Sequence, residues 1–174
     1  TNGTPMGDIE LPGIGAVYGL SSRNDTPELF YVYTSFLTPF TVYRYDFASK
    51  KSTAFEPPHV PFDASQFETR QIFFASKDVT RIPMFISARK GIALDGTHPT
   101  VLYGYGGYKI SSTPAFDKII AVWLEHGGSY APAHSRGGGE SGEAWRRPGR
   151  LEHNQNLCDA FLCAPQYPPR TSDT

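Results

Sequence analysis

The chain has 174 residues, with 16 Lys+Arg against 17 Asp+Glu and a formal net charge of -1. That balance offers no basic field for nucleic acid or an anionic membrane surface, so neither is expected as a partner. Hydrophobic residues are 39% and aromatics 14%, enough for a core, and no apolar run approaches the length of a membrane span.

Two cysteines, Cys158 and Cys163, stand five apart in a segment that reads as helical. They do not share a face, so neither a disulfide nor a metal site is expected from them. This usage fits a reducing compartment, and the expected location is cytoplasmic. The opening Thr1-Asn2-Gly3-Thr4-Pro5 is neither a signal peptide nor a Met start, so the chain is expected to begin inside something larger.

Residues 1 to about 58 read as antiparallel β. Ala16–Leu20, Leu29–Thr34 and Thr41–Asp46 are short, rich in β-branched and aromatic residues, and separated by turn clusters. A weaker strand spans Ser52–Phe55. Four strands make one small sheet, which is not stable alone. Units of this size are the blades of β-propellers, so the segment implies neighbours. Glu56–Ser65, with three prolines, reads as a linker.

Beyond it, Glu68–Ala75 and Ile82–Arg89 form a hairpin around Ser76–Thr80. Thr100–Tyr103 reads as a strand buried on both faces. Ala115–His126 reads as a helix stopped by Gly127-Gly128, and Ser129–His134 as the next strand. Strand, helix, strand implies a parallel crossover and an α/β sheet. Gln155–Ala164 begins another helix with Leu157, Phe161 and Leu162 as its apolar positions, and Pro165 stops it. Arg146, Arg147 and Arg150, around Pro148, read as a solvated surface loop.

Several motifs do not survive their context. Gly137–Gly142 formally matches G-x-G-x-x-G, but the polar Glu143–Gly149 follows where an apolar helix should open. Gly127-Gly128-Ser129-Tyr130-Ala131 resembles a nucleophile elbow with helix and strand in the wrong order, so Ser129 is not expected to be a nucleophile. His59, His98, His126, His134 and His153 show no metal-ligand pattern.

The informative stretch is Thr100–Tyr108. Gly104, Gly106 and Gly107 permit a turn and close packing, and leave Tyr105 held by its backbone at the end of a strand. Ligands of open α/β sheets bind beyond the carboxyl ends of strands. A phenol fixed there could donate a hydrogen bond to charge developing in a reaction.

Three segments in order carry a resemblance: Thr34-Ser35-Phe36-Leu37-Thr38-Pro39, Gly104-Tyr105-Gly106-Gly107-Tyr108, and Arg136-Gly137-Gly138-Gly139-Glu140 leading to Gly142–Trp145 and Gln155-Asn156. Together they resemble the prolyl oligopeptidase family of serine peptidases, from about Gly7 to Ala164. The resemblance implies residues 1–59 as the last antiparallel blade of a β-propeller. It implies 60–174 as the N-terminal portion of an α/β-hydrolase domain, ending before the nucleophile elbow. It also implies an active site in a cavity between the two.

By the same resemblance Tyr105 is the catalytic residue, a hydroxyl of the oxyanion hole. Tyr108, where the family usually has Phe, is a substrate-binding position, and Arg136–Glu140 is a structural loop. His134 and Ser135 stand where relatives commonly have Asn and an aliphatic residue. The implied parent is a monomer, without cofactor or metal, acting on short proline-containing peptides through an acyl-enzyme. The Ser/Asp/His triad and the second oxyanion donor are expected to lie outside these residues, so the chain alone is expected to be inactive. The alternatives are an oligopeptidase B-like peptidase, and a non-catalytic truncated protein that binds peptides or a partner.

Overall fold

The computed structural model describes residues 4–5, 7–93, 95–106, 110–139, 142–149 and 155–166. They fall into two compact units: Thr1–Pro61 with Pro114–Asp117, and Phe62–Thr113 with Lys118–Thr174.

In the first unit β1 (Ala16–Ser22), β2 (Glu28–Thr34), β3 (Thr41–Asp46) and β4 (Lys51–Phe55) form an antiparallel sheet in sequential order. Alternation puts Leu29, Tyr31 and Tyr33 on one face of β2, with Tyr43 opposite Tyr31 and Tyr45 opposite Leu29. The Tyr31 and Tyr43 rings stack at 5.4 Å, and Tyr33 meets Tyr43 edge-on at 5.8 Å. Such pairs contribute about 0.5–1.5 kcal/mol each beyond their burial. Gly19, at φ +70°, is the extra residue of a bulge between Tyr18 and Leu20, so β1 stays paired as far as Ser22. The Ser35–Thr38 turn is closed by its own serine: the Ser35 hydroxyl accepts from the Leu37 and Thr38 N–H groups at 3.1 and 2.9 Å.

The same unit explains why the first helix starts later than the sequence suggests. The N–H of Phe116 donates to Thr34 Oγ1 at 3.2 Å, so residues 114–117 remain outside the helix. α1 runs Lys118–Glu125 rather than from Ala115. Its carboxyl end behaves as expected. Gly127, at φ +86°, donates to the Leu124 carbonyl and Gly128 to the Trp123 carbonyl, at 3.0 and 3.1 Å. This is a Schellman cap. The Trp123 indole lies where a Gly128 β-carbon would be, and its N–H donates to the Ser129 carbonyl at 2.9 Å.

In the second unit a 3-10 turn, Ala64–Gln66, leads into β5 (Phe67–Ala75). β6 (Arg81–Arg89), β7 (Thr100–Tyr105) and β8 (Ser129–His134) complete a sheet of order β5-β6-β8-β7. β5, β6 and β8 pair antiparallel, while β7 and β8 pair parallel across α1. One face carries the main core: Phe74, Ile82, Met84, Ala131 and Ala133, with Ala160 and Ala164 packed on them. These last belong to α3 (Gln155–Cys163) and the 3-10 turn Ala164–Gln166 after it. On α1, Ala121 and Leu124 are buried.

Three expectations need correction. β7 is an edge strand in this chain, and Val101 and Tyr103 on one face are exposed, at 38% and 48%. Leu162 is 62% exposed, whereas Ala160 and Ala164 are buried. Residues three and four apart share a helix face, which groups Ala160 with Cys163 and Ala164 rather than with Leu162. Arg146 and Arg147 are not in a loop. They belong to α2 (Glu143–Arg146) and the 3-10 turn after it, both paired with Glu143. Arg150 lies outside the described residues.

Candidate functional site

The candidate site is the carboxyl end of the parallel pair β7–β8. Six residue pairs run from Thr100 opposite Ser129 to Tyr105 opposite His134. Tyr105 is therefore the last residue of its strand, half-buried, and backed by ladder pairing rather than by a loop. The neighbouring His134 is buried, its ring 5.2 Å from that of Phe85 and tilted edge-on.

The two described glycines around Tyr105 are there for close approach, not for an unusual φ. A β-carbon on Gly104 would stand 2.5 Å from the Phe161 ring of α3. One on Gly106 would stand 2.5 Å from the Arg136 carbonyl oxygen and 2.8 Å from Ser135 Cβ. The chain leaving β8 thus lies directly against the backbone after Tyr105. It continues through Gly137 at φ +100°, where a β-carbon would meet the Gly106 carbonyl at 2.7 Å. Gly149 closes the other side, its β-carbon position 2.5 Å from the Gly137 nitrogen. Three backbone segments cross here, mostly backbone against backbone, with the Ser135 Cβ also at the Gly106 contact.

Arg136 holds this crossing from behind. Its side chain is 3% exposed. It pairs with Asp78 in a two-nitrogen fork, Nη1 to Oδ2 and Nη2 to Oδ1. Nη2 also donates to Ser76 Oγ at 3.3 Å and to the Asn156 carbonyl at 3.1 Å. The Asn156 side chain in turn donates to the Pro148 carbonyl at 2.9 Å. One guanidinium thus ties the β5–β6 turn to the start of α3. The Arg136 guanidinium beside Asp78 holds that carboxyl down at about 2.

Arg136 itself stands in a loop expected to be structural, but the sequence did not supply its partners: Asp78 is 58 residues away. The available signal was an arginine leaving a buried strand, which needs a carboxylate when desolvated. Tyr108 and Glu140 lie outside the described residues, as does Gly107. Ser129 begins a strand, as its context implied, and its hydroxyl is buried without a hydrogen-bond partner.

A cavity of about 320 Å³ lies at the opposite end of the same strands, bounded by His98, Thr100, Ser129, Met84, Ala164 and Pro165 among others. Its lining reaches Leu102 and Ala131, midway along the strands, and does not include Tyr105. We place the site by the strand ends and not by the cavity. No cluster of His, Cys, Asp or Glu able to hold a metal ion occurs among the described residues. None of their helices is long and apolar enough to cross a membrane.

Comparison with known proteins finds relatives along the chain. Residues 1–58 match the family model described as the N-terminal β-propeller domain of prolyl oligopeptidase. A prolyl endopeptidase of Elizabethkingia miricola is 40% identical over 160 residues, covering 92% of this chain and 23% of its own length. A prolyl endopeptidase of Dictyostelium discoideum is 36% identical over 170 residues, covering 95% and 22%. A solved structure from a mechanistic study of two prolyl endopeptidases superposes with TM-score 0.84 at 42% identity, covering 95% of this chain and 24% of that one. Apo prolyl oligopeptidase B of Galerina marginata gives 0.79 at 38% identity, covering 87% and 22%. The chain spans about a quarter of the length of these relatives.

Proposed function

The chain belongs to the prolyl oligopeptidase family, and from that premise we propose that it is part of a serine peptidase that cleaves short peptides after proline. In this reading residues 1–59 end the propeller and 60–174 open the α/β-hydrolase domain. The strand order β5-β6-β8-β7, with its parallel pair bridged by a helix, supports the second assignment. The observation that carries the function is Tyr105, held at the carboxyl end of β7 by ladder pairing and a glycine crossing.

The mechanism follows from that placement. When a nucleophile adds to the scissile carbonyl, the oxygen gains negative charge. The Tyr105 hydroxyl donates to it, and the rigid backing means little reorganisation is needed at that moment. Donors of this kind are worth about 10²–10³ in rate. Tyr108 belongs to the same reading as a substrate contact. The Ser129 and Ser135 hydroxyls are both buried without hydrogen-bond partners, so neither has a base to activate it. In this reading the described residues supply an oxyanion donor, the Ser/Asp/His triad lies elsewhere in the parent enzyme, and the 174 residues alone do not hydrolyse peptides. A monomer in the cytoplasm fits the same picture, as do the two free thiols.

The test is cleavage of matched peptides by the full-length protein that carries this sequence. Cleavage after proline and not after lysine or arginine is expected. Preference for a basic residue would shift the reading to oligopeptidase B-like activity. Turnover by the isolated 174 residues would contradict the division of labour.

A further inference from the structure

We propose that Arg136 is a positioning residue for Tyr105, fixing the phenol through the backbone of Gly106. The inference rests on the reading of Tyr105 as an oxyanion donor. The side-chain partners of Arg136 are Asp78, Thr80, Ser76 and Asn156. Its side chain is anchored at two distant places, the Ser76–Thr80 turn and the start of α3. Its main-chain carbonyl abuts Gly106, at 2.5 Å from where a β-carbon would be.

Neither contact has slack. The guanidinium is a planar fork gripped by a carboxylate, a hydroxyl and a carbonyl. At Gly106 backbone meets backbone, with no flexible side chain to absorb a shift. The Tyr105 and Gly106 α-carbons are joined by one planar peptide, about 3.8 Å across. A displacement of the Arg136 backbone therefore passes to Tyr105 almost undiminished. Gly137 and Gly149 close the far side, so the crossing is held from both directions. A purely structural arginine would need the ion pair but not this contact behind the phenol.

The experiment is a double-mutant cycle in the full-length protein, with turnover of a proline-containing chromogenic peptide. Arg136→Met should lower kcat by about 10- to 100-fold, since small misplacements of catalytic groups cost this much. KM should stay within about twofold, because ground-state binding is untouched. Arg136→Lys should recover part of the loss. In a Tyr105→Phe background, Arg136→Met should cost less than about twofold further, because its effect runs through the missing hydroxyl. Equal costs in both backgrounds would overturn the positioning role, while a large loss in Tyr105→Phe alone would leave the oxyanion donor standing.

If Tyr105→Phe is fully active, the donor reading fails, and a second readout decides positioning independently. The ¹³Cζ resonance of Tyr105, assigned by its absence in Tyr105→Phe, should shift or broaden in Arg136→Met. An unmoved resonance would overturn the inference. Should Arg136→Met not fold, Asp78→Asn keeps an acceptor beside the guanidinium and is read by the same two measurements.

Discussion

The two ends of the β7–β8 pair share a register and differ in construction. At the start of the strands, around Thr100 and Ser129, lies an open cavity bordered by apolar side chains, with a buried serine hydroxyl that bonds to nothing. At the far end, around Tyr105 and His134, backbones approach with no room for a β-carbon and the buried Arg136 is anchored through both Nη atoms, although its Nε and the Ser135 hydroxyl have no hydrogen-bond partner. Volume alone would choose the first end. Pre-organisation chooses the second, because a group that must meet developing charge has to be held before the reaction begins.

The sharpest way to break the contrast is to remove single atoms from each end. Tyr105→Phe should lower kcat of the full-length protein by about 10²–10³ and leave the urea midpoint almost unchanged, since the ring stays in place. The corresponding deletion at the other end, Ser129→Ala, removes a buried hydroxyl without a partner. It should be neutral or stabilising by up to about 1 kcal/mol, with activity unchanged. Loss of activity from Ser129→Ala with a normal Tyr105→Phe would reverse the assignment of the two ends.

Next in size are the packing variants. Gly106→Ala places a methyl group 2.5 Å from a backbone oxygen that cannot rotate away. It should destabilise the second unit by about 3 kcal/mol or more, read by chemical unfolding. Gly96→Ala, at the cavity end, meets nothing within 4 Å and bears only its φ of +82°, for a cost of about 1–2 kcal/mol. Similar losses at both would mean that the crossing is no tighter than a surface turn.

Asp78→Ala leaves Arg136 buried and uncompensated. Breaking a buried pair costs about 3–5 kcal/mol, but the Asp78 side chain is 42% exposed, and solvent screening reduces the expectation to about 2 kcal/mol. The smallest effect is the pH dependence of the same pair. Asp78 is held at about 2, below its ordinary 3.8. A depressed carboxyl stabilises the fold fully above its unfolded value, and the contribution is lost as pH falls through the folded one. Stability should decline between about pH 4 and pH 2, and Asp78→Asn should flatten that decline in a melting-temperature profile.

Much of this was legible in the residues. Strands such as Leu29–Thr34 and Ser129–His134 carry dense β-formers between strong turn signals, so local preference and tertiary fate agree. The position of Tyr105 at the end of β7 was legible for the same reason: the strand signal stops at the glycines. What failed was non-local. Val101 and Tyr103 look buried because they are apolar, but burial depends on what lies beside β7, and no pattern within the strand records that. The start of α1 depends on Thr34, 82 residues before Phe116. The Arg136–Asp78 pair joins a glycine loop to a hairpin turn, each ordinary alone. Glycines that serve close approach, such as Gly106, cannot be told by sequence from those that serve a turn.

In the proposed reading the carboxyl end of β7 presents the Tyr105 hydroxyl to an oxyanion. The most direct measurement is kcat and KM of Tyr105→Phe in the full-length protein on a proline-containing chromogenic peptide. A fall in kcat of about 10²–10³ is expected, with KM within about twofold. An unchanged kcat would contradict it.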